Sequence, residues 1–359
     1  MTNLKSKSSI GRGGSALRML IACLASWTLA TPIALAGGKL KVVTTTSDLR
    51  SVVEAIGGDK VEAASLGTGR EDPHFIDAKP SCMVLAHDAD LWIRIGLELE
   101  IGYENLILDG ARNPRIRIGT QGHLDASEGV LRLEVPAGKV DRSMGDIHPQ
   151  GNPHYWLDPL NIRIASKHIA ARLAKLDLAD AAYFDGRLKE FQRRLDEAMF
   201  GPKLLAAADG GKLWAMLIKN QLDAFVQEHG GEQAAGGWWA AMKPYRGTKI
   251  VTYHRSWSYF TQRFGLVVIA ELEPKPGIEP TPAHLSELVD KVKSEGVKFV
   301  LMEPFYSRQG PDWLAGKTGI RVVEAANSVG GQSEATDYVA MIDHLVKRCL
   351  AALEGSPPR

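Results

Sequence analysis

The sequence predicts an α/β protein of two lobes, each a parallel-sheet βα domain, joined by one long rigid helix with a metal site in the interlobe cleft. Three observations carry that expectation. Short β-branched runs alternate with amphipathic helices over residues 39–103, and the same style returns over 249–324. Between them lies an uninterrupted amphipathic stretch, 179–199. Three histidines, His74, His154 and His254, also sit in look-alike turns far apart in the chain, each followed closely by aromatic residues.

The first segment is an export signal. Lys5, Lys7, Arg12 and Arg18 precede an apolar run from Met19 to Leu35, and Ala34-Leu35-Ala36 has the small-x-small pattern that signal peptidase cuts, so residues 1–36 read as a signal peptide. Leu20-Ile21-Ala22-Cys23 loosely fits a lipobox, but Arg18 leaves almost no apolar run ahead of Cys23. A periplasmic protein is therefore expected, with a lipid anchor the second reading. No later stretch supplies the roughly 20 apolar residues of a membrane span.

Residues 37–176 form the expected N-terminal lobe. Lys39 to Thr46 is a β-branched strand that stops at Ser47-Asp48, an N-cap for a helix through Ile56, which Gly57-Gly58 ends. Val61 to Leu66 is a second strand, Pro80 to His87 a helix, and Ala89 to Ile95 a third strand leading to a helix through Tyr103. Residues 177–200 are the linking helix, with Tyr183, Leu188, Phe191, Leu195 and Met199 at near-helical spacing and an i,i+4 pair of Glu190 with Arg194. Residues 201–359 form the C-terminal lobe: a Gly- and Ala-rich stretch from Ala206 to Trp239 expected as helix plus mobile loop, then strands at Lys249–Thr252, Val267–Leu272, Phe299–Met302 and Arg321–Glu324. Helices over His284–Ser294 and Asp312–Thr318 lie between them.

Composition narrows the function. A chain of 359 residues, 45% hydrophobic and with a formal net charge of +1, can bury a large core and has no basic stripe for nucleic acid. Cys82 and Cys349 are too few and too far apart for a disulfide framework or thiolate metal site; they read as buried small hydrophobes, with a single bridge open. There is no GxSxG elbow, HExxH or P-loop, and Gly67-Thr68-Gly69 is a turn.

The histidines are the chemistry-bearing feature. In open α/β sheets ligands bind beyond the carboxyl ends of strands, and His74 follows one strand, His254 ends another, and His154 lies in a Pro/Gly-rich loop. Three neutral imidazoles from distant turns are a donor set for zinc in preference to manganese, which favours carboxylate oxygen. His148 is a loop histidine read as solvated, with an auxiliary or entry role second. His87, His123, His168, His229, His284 and His344 have no converging partners and read as structural or exposed.

The segments DPHFIDAKPS, NPHYWLDP and VTYHRSWSYFTQRFGL, in this order and with a long central helix, resemble the metal-binding substrate-binding proteins of zinc and manganese ABC importers, over about Lys39 to Leu353. The resemblance implies two lobes on one rigid helix and a single divalent ion held by three or four side chains, the first three mapping onto His74, His154 and His254. The family's fourth ligand is usually an aspartate in a segment resembling DSxG or DPxG; here NSVGG puts Asn327 there, and since an amide oxygen is a weak zinc ligand, either the ion keeps a water or another carboxylate swings in, leaving Asn327, Glu324, Glu273 or Glu303 as side-chain candidates. It also implies an ABC permease as partner, with a metallochaperone as a possible donor, a monomer, no enzymatic activity, and local closure over 137–151 or 206–239. The His/Asp-rich loop of zinc-binding relatives is short here. Two alternatives stay open: a zinc-dependent hydrolase using Glu273 or Glu303 as base, and a surface metal-binding adhesin.

Overall fold

The computed structural model describes residues 38–140, 145 and 147–355. The signal peptide and the Cys23 lipobox fall outside these residues. Among the described residues no helix is long and apolar enough to cross a membrane.

The first sheet is built from β1 (Leu40–Thr44), β2 (Val61–Ser65), β3 (Leu91–Arg94) and β4 (His123–Asp125), all parallel in the order β2-β1-β3-β4. α1 (Ser47–Gly57), α2 (Pro80–Asp88) and α3 (Glu104–Ala111) connect its strands. The cap of α1 differs from expectation. Thr46 is the N-cap, its side chain accepting from the Leu49 amide, and Asp48 is fully buried with Oδ1 accepting the Val329 amide at 2.9 Å. The helix expected through Tyr103 starts only at Glu104. Leu97 and Glu98 hold positive φ in a turn, and the Glu100 carboxylate accepts the amides of Ile95 and Gly96, which fixes that turn instead of a helix.

Two long helices follow, α4 (Pro159–Leu176) and α5 (Ala181–Ala207). α5 runs past the expected end and kinks at Gly201, whose φ of 76° breaks the helix ahead of Pro202. Phe191, Leu195 and Met199 are buried as their spacing requires, Phe184 and Phe200 join them, and Tyr183 and Leu188 only flank the core. The expected Glu190–Arg194 pair is replaced: Arg193 bridges Glu190 and Glu197, while Arg194 reaches Asp337 at 3.1 Å. Residues 206–239 are mostly helical, as α6 (Gly210–Ile218), α7 (Leu222–Glu228) and the start of α8 (Gly237–Met242). Trp214, Trp238 and Trp239 anchor them in the core, overriding the low-information Gly/Ala composition.

The second sheet repeats the first. β5 (Lys249–Thr252), β6 (Val267–Glu271), β7 (Phe299–Met302) and β8 (Arg321–Glu324) are parallel in the order β6-β5-β7-β8. α9 (Ser258–Phe264), α10 (Pro282–Glu295) and α11 (Gln309–Thr318) connect them, and α12 (Tyr338–Leu353) closes the fold. One continuous hydrophobic cluster runs from Val42 and Ile93 in the first sheet through α4 and α5 to Ile250 and Phe299 in the second and Tyr338 on α12. Smaller clusters cover the outer faces. Cys82 lies in one of these and Cys349 in the main cluster; both are free and buried, so they do not pair.

Polar contacts fasten the lobes where apolar packing ends. The Ser47 hydroxyl donates to the Val329 carbonyl at 2.7 Å, and Gly69 approaches Val329 so closely that a Cβ there would sit 2.2 Å from its oxygen. Arg263 on α9 grips Asp158, the N-cap of α4, through two nitrogens at 2.7 and 2.5 Å.

Candidate metal centre

In each sheet the chain departs to opposite sides of its first strand, and the carboxyl ends at that switch point open a crevice. His254 follows β5 by two residues, and Glu303 directly follows the neighbouring β7. His74 sits in a 3-10 turn, Pro73–Phe75, beyond β2, and His154 immediately precedes the turn Tyr155–Leu157 that leads into α4.

The three imidazoles meet. One nitrogen from each lies within 4.8 Å of the others. Ring centroids are 4.9 Å apart for His74–His154, 5.7 Å for His74–His254 and 5.4 Å for His154–His254. In a tetrahedral zinc site, Zn–N bonds of about 2.0–2.1 Å hold ligating imidazole centroids about 5 Å apart, so the spacing fits an ion.

Every ring is clamped from behind. His74 Nδ1 donates to Asp72 Oδ1 at 2.7 Å, His154 Nδ1 to Asn152 Oδ1 at 2.8 Å, and His254 Nδ1 to Glu273 Oε2 at 2.6 Å. Each acceptor fixes the Nδ1–H tautomer and leaves Nε2 with its lone pair; His74 Nε2 is buried and unpartnered. Asn152 is oriented in turn, its amide donating to the Arg255 carbonyl and to Glu134. The Tyr306 hydroxyl donates to Asp72 Oδ2 at 2.7 Å, so a residue of the second lobe steadies a clamp of the first.

Electrostatics follow from burial and these clamps. Burial, then the neighbouring imidazoles, holds His154 well below the usual histidine range. Burial would lower His254 too, but the hydrogen bond and charge of Glu273 raise it. Burial would raise Asp72, yet its bonds to His74 and Tyr306 bring it well below the usual carboxylate range. Glu303 is pushed up to about 7 by burial, against the opposing pull of His254 and Ser256.

The four candidates for a fourth ligand are placed differently. Glu273 is spent on His254 and on the Gly277 amide. Glu324 pairs with Arg308 at 3.1 Å at a partly exposed strand end. Glu303 accepts the Ser256 hydroxyl with one oxygen and keeps the other, Oε2, buried and unpartnered. Asn327 gives its backbone carbonyl to Trp156 Nε1 at 2.7 Å, with side-chain Oδ1 buried and unpartnered. His148 is not solvated: its ring stacks on His74 at 5.3 Å, and burial, reinforced by His74 and His254, lowers its pKa to about 4. His123 is structural, in β4 with Nε2 3.0 Å from Glu104.

A family model for the periplasmic component A of the zinc-uptake complex, ZnuA, matches residues 42–199 and 223–352, most of the chain. The chain belongs to the ZnuA family. Curated relatives include a manganese ABC transporter substrate-binding lipoprotein, PsaA, of Streptococcus mitis, 26% identical over 75% of this chain and 74% of its own length. An iron ABC transporter substrate-binding lipoprotein, MtsA, of Streptococcus pyogenes serotype M1 is 24% identical over 85% of this chain and 83% of its own. A crystal structure of ZnuA superposes with a TM-score of 0.64 at 22% identity, covering 87% of this chain and 98% of that one, which shows a common fold. ZnuA-family proteins are metal-binding, extracytoplasmic substrate-binding components of ABC importers rather than enzymes, and this chain is one of them. The relatives are named for different metals.

Asp72, Asn152, Glu273 and Tyr306 escaped the sequence reading as positioning residues. A signal for two of them was present: His74 and His154 both close an Asx-Pro-His triplet.

Proposed function

We propose that this ZnuA-family protein captures a zinc ion on His74, His154 and His254 and delivers it to an ABC permease. The observation that carries the reading is the convergence of three imidazole nitrogens within 4.8 Å, each ring held at Nδ1 by an acceptor. Nitrogen donors suit zinc better than manganese or magnesium, whose sites are richer in oxygen. The N-terminal segment supports cleavage near Gly37 and release into the periplasm. Because ligating imidazoles must be deprotonated, protons compete with the ion and capture weakens in acid.

The test is metal content and affinity by chelator competition, for wild type and His154→Ala, with manganese as competitor. One zinc per chain, lost in the variant and displaced poorly by manganese, is expected. Unchanged stoichiometry and affinity in His154→Ala would sink the site, and preferential retention of manganese would reassign the metal.

A further inference from the structure

The structure points to a fourth histidine in the site, and we propose that His148 closes on the ion through Nε2 to complete an all-imidazole tetrahedral shell. The inference rests on the zinc-capture reading above and names the ligand that reading leaves open. His148 Nε2 is buried and has no hydrogen-bond partner. A buried ring nitrogen without a partner loses its solvation for nothing, and a metal ion is one way to repay it.

Its spacing from His74 matches the spacing within the trio. The His148–His74 centroid distance of 5.3 Å lies between the 4.9 and 5.7 Å limits spanned by the trio, and near the roughly 5 Å of tetrahedral zinc. A cavity of about 30 Å³, with room for a water-sized occupant, is lined by His148, His154 and His254. One ring nitrogen of each member of the trio already lies within 4.8 Å of the others, and His148 is outside that group. Closure is therefore a short approach of one side chain.

The segment bearing His148 is tied on both sides. The Gly151 amide donates to the His148 carbonyl at 3.1 Å, and the Asn152 amide to the Leu133 carbonyl at 2.9 Å. On the other side, Gly145, at φ +80°, lies so close to Pro276 that a Cβ would fall 2.4 Å from its carbonyl oxygen. Pro276 belongs to the loop that begins with Glu273, the clamp of His254. The segment that carries the fourth imidazole thus abuts, at Gly145, the loop that orients the third, and movement of His148 onto an ion would be felt at the surface of the second lobe.

Long-range NMR of full-length protein with 15N-labelled histidine, loaded with one equivalent of zinc, counts the metal-bound nitrogens directly. Four zinc-bound Nε2 are expected in wild type and three in His148→Ala, with one zinc per chain retained. Zinc affinity should fall by at least the roughly tenfold that loss of an outer-shell partner costs. Three bound imidazoles in wild type, or a His148→Ala affinity equal to wild type, overturns the proposal, as does loss of the fourth ligand in Glu303→Gln. In the same experiment His154→Ala reports on the zinc-capture reading separately: if it binds zinc normally, that reading fails, whatever His148 does.

Discussion

A single oxygen of Asp72, Oδ1, accepts both the backbone amide of His74 at 2.9 Å and its ring Nδ1–H at 2.7 Å, and Asn152 repeats the arrangement on His154 at 3.0 and 2.8 Å. The intervening proline makes this possible. It holds the residue before it extended, as in Asp72 with φ −67° and ψ 119°, so the short side chain folds over the next two residues. Backbone and ring are then fixed by one acceptor.

Removing that acceptor should loosen the ligand without unfolding the chain. Asp72→Ala is expected to weaken zinc binding by about 10- to 100-fold, whereas Asp72→Asn, which copies Asn152, should retain most of the affinity. Chelator competition on both variants, with circular dichroism as the check on folding, separates the two; equal losses would mean that charge rather than orientation is what Asp72 supplies.

Tyr306→Phe removes only the hydroxyl that reaches Asp72 across the lobes, leaving the ring stacked on Tyr253 at 4.5 Å. A loss of about 0.5–1.5 kcal/mol in folding stability is expected, together with a smaller loss of zinc affinity than in Asp72→Ala. Urea denaturation and the same competition assay measure the two effects.

How much of this was legible beforehand varies with the physical signal. Phe299–Met302 is legible to the residue because its apolar run is bounded by Lys298 and Glu303, and Arg321–Glu324 because two β-branched valines stand between charged residues. β4 is three residues long and carries His123, too little for any period to register. α12 does carry a helical stripe, Tyr338, Met341, Ile342, Leu345 and Cys349, that went unread. The trio of histidines was visible because each occupies a similar turn. The clamp on His254 was not, since Glu273 lies 19 residues away and meets it only because β5 and β6 are neighbours in the sheet. The positive φ of Leu97 and Glu98 is hidden for a different reason: Glu100 is close in sequence, but its carboxylate turns back onto the amides of Ile95 and Gly96, a contact that no periodicity marks.

Gly69→Ala tests how tightly the lobes are fitted. An alanine would suffer both the positive φ of 83° and a 2.2 Å approach to the Val329 carbonyl. Destabilisation of about 1–3 kcal/mol or more is expected from thermal unfolding, because the obstacle is backbone and cannot swing away. An unchanged melting temperature would show that the lobes yield at this seam.

Asp48 should make stability fall as pH rises. Burial pushes its carboxyl up to about 7 from an ordinary 3.8, so between those values the folded chain holds a proton that the unfolded chain has released. Stability is then greatest below the unfolded pKa and is lost as pH climbs through about 7. Asp48→Asn, which keeps an acceptor for the Val329 amide, should remove that slope and stabilise the protein at pH 8 by on the order of 1–4 kcal/mol, with little change at pH 4. Denaturant titrations at the two pH values check the sign; parallel curves for wild type and variant would refute it.

The outer ring of the site also sets a charge. Two of the three clamps, Asp72 and Glu273, are carboxylates, and the third, Asn152, is neutral, while the imidazoles themselves carry no charge when they ligate. An arriving cation therefore meets two carboxylates at one remove, behind the rings that would touch it. Their field favours a cation over a neutral or anionic cargo, while the direction of the lone pairs, which an amide can fix as well as a carboxylate, is what Asn152 shows to be common to all three clamps.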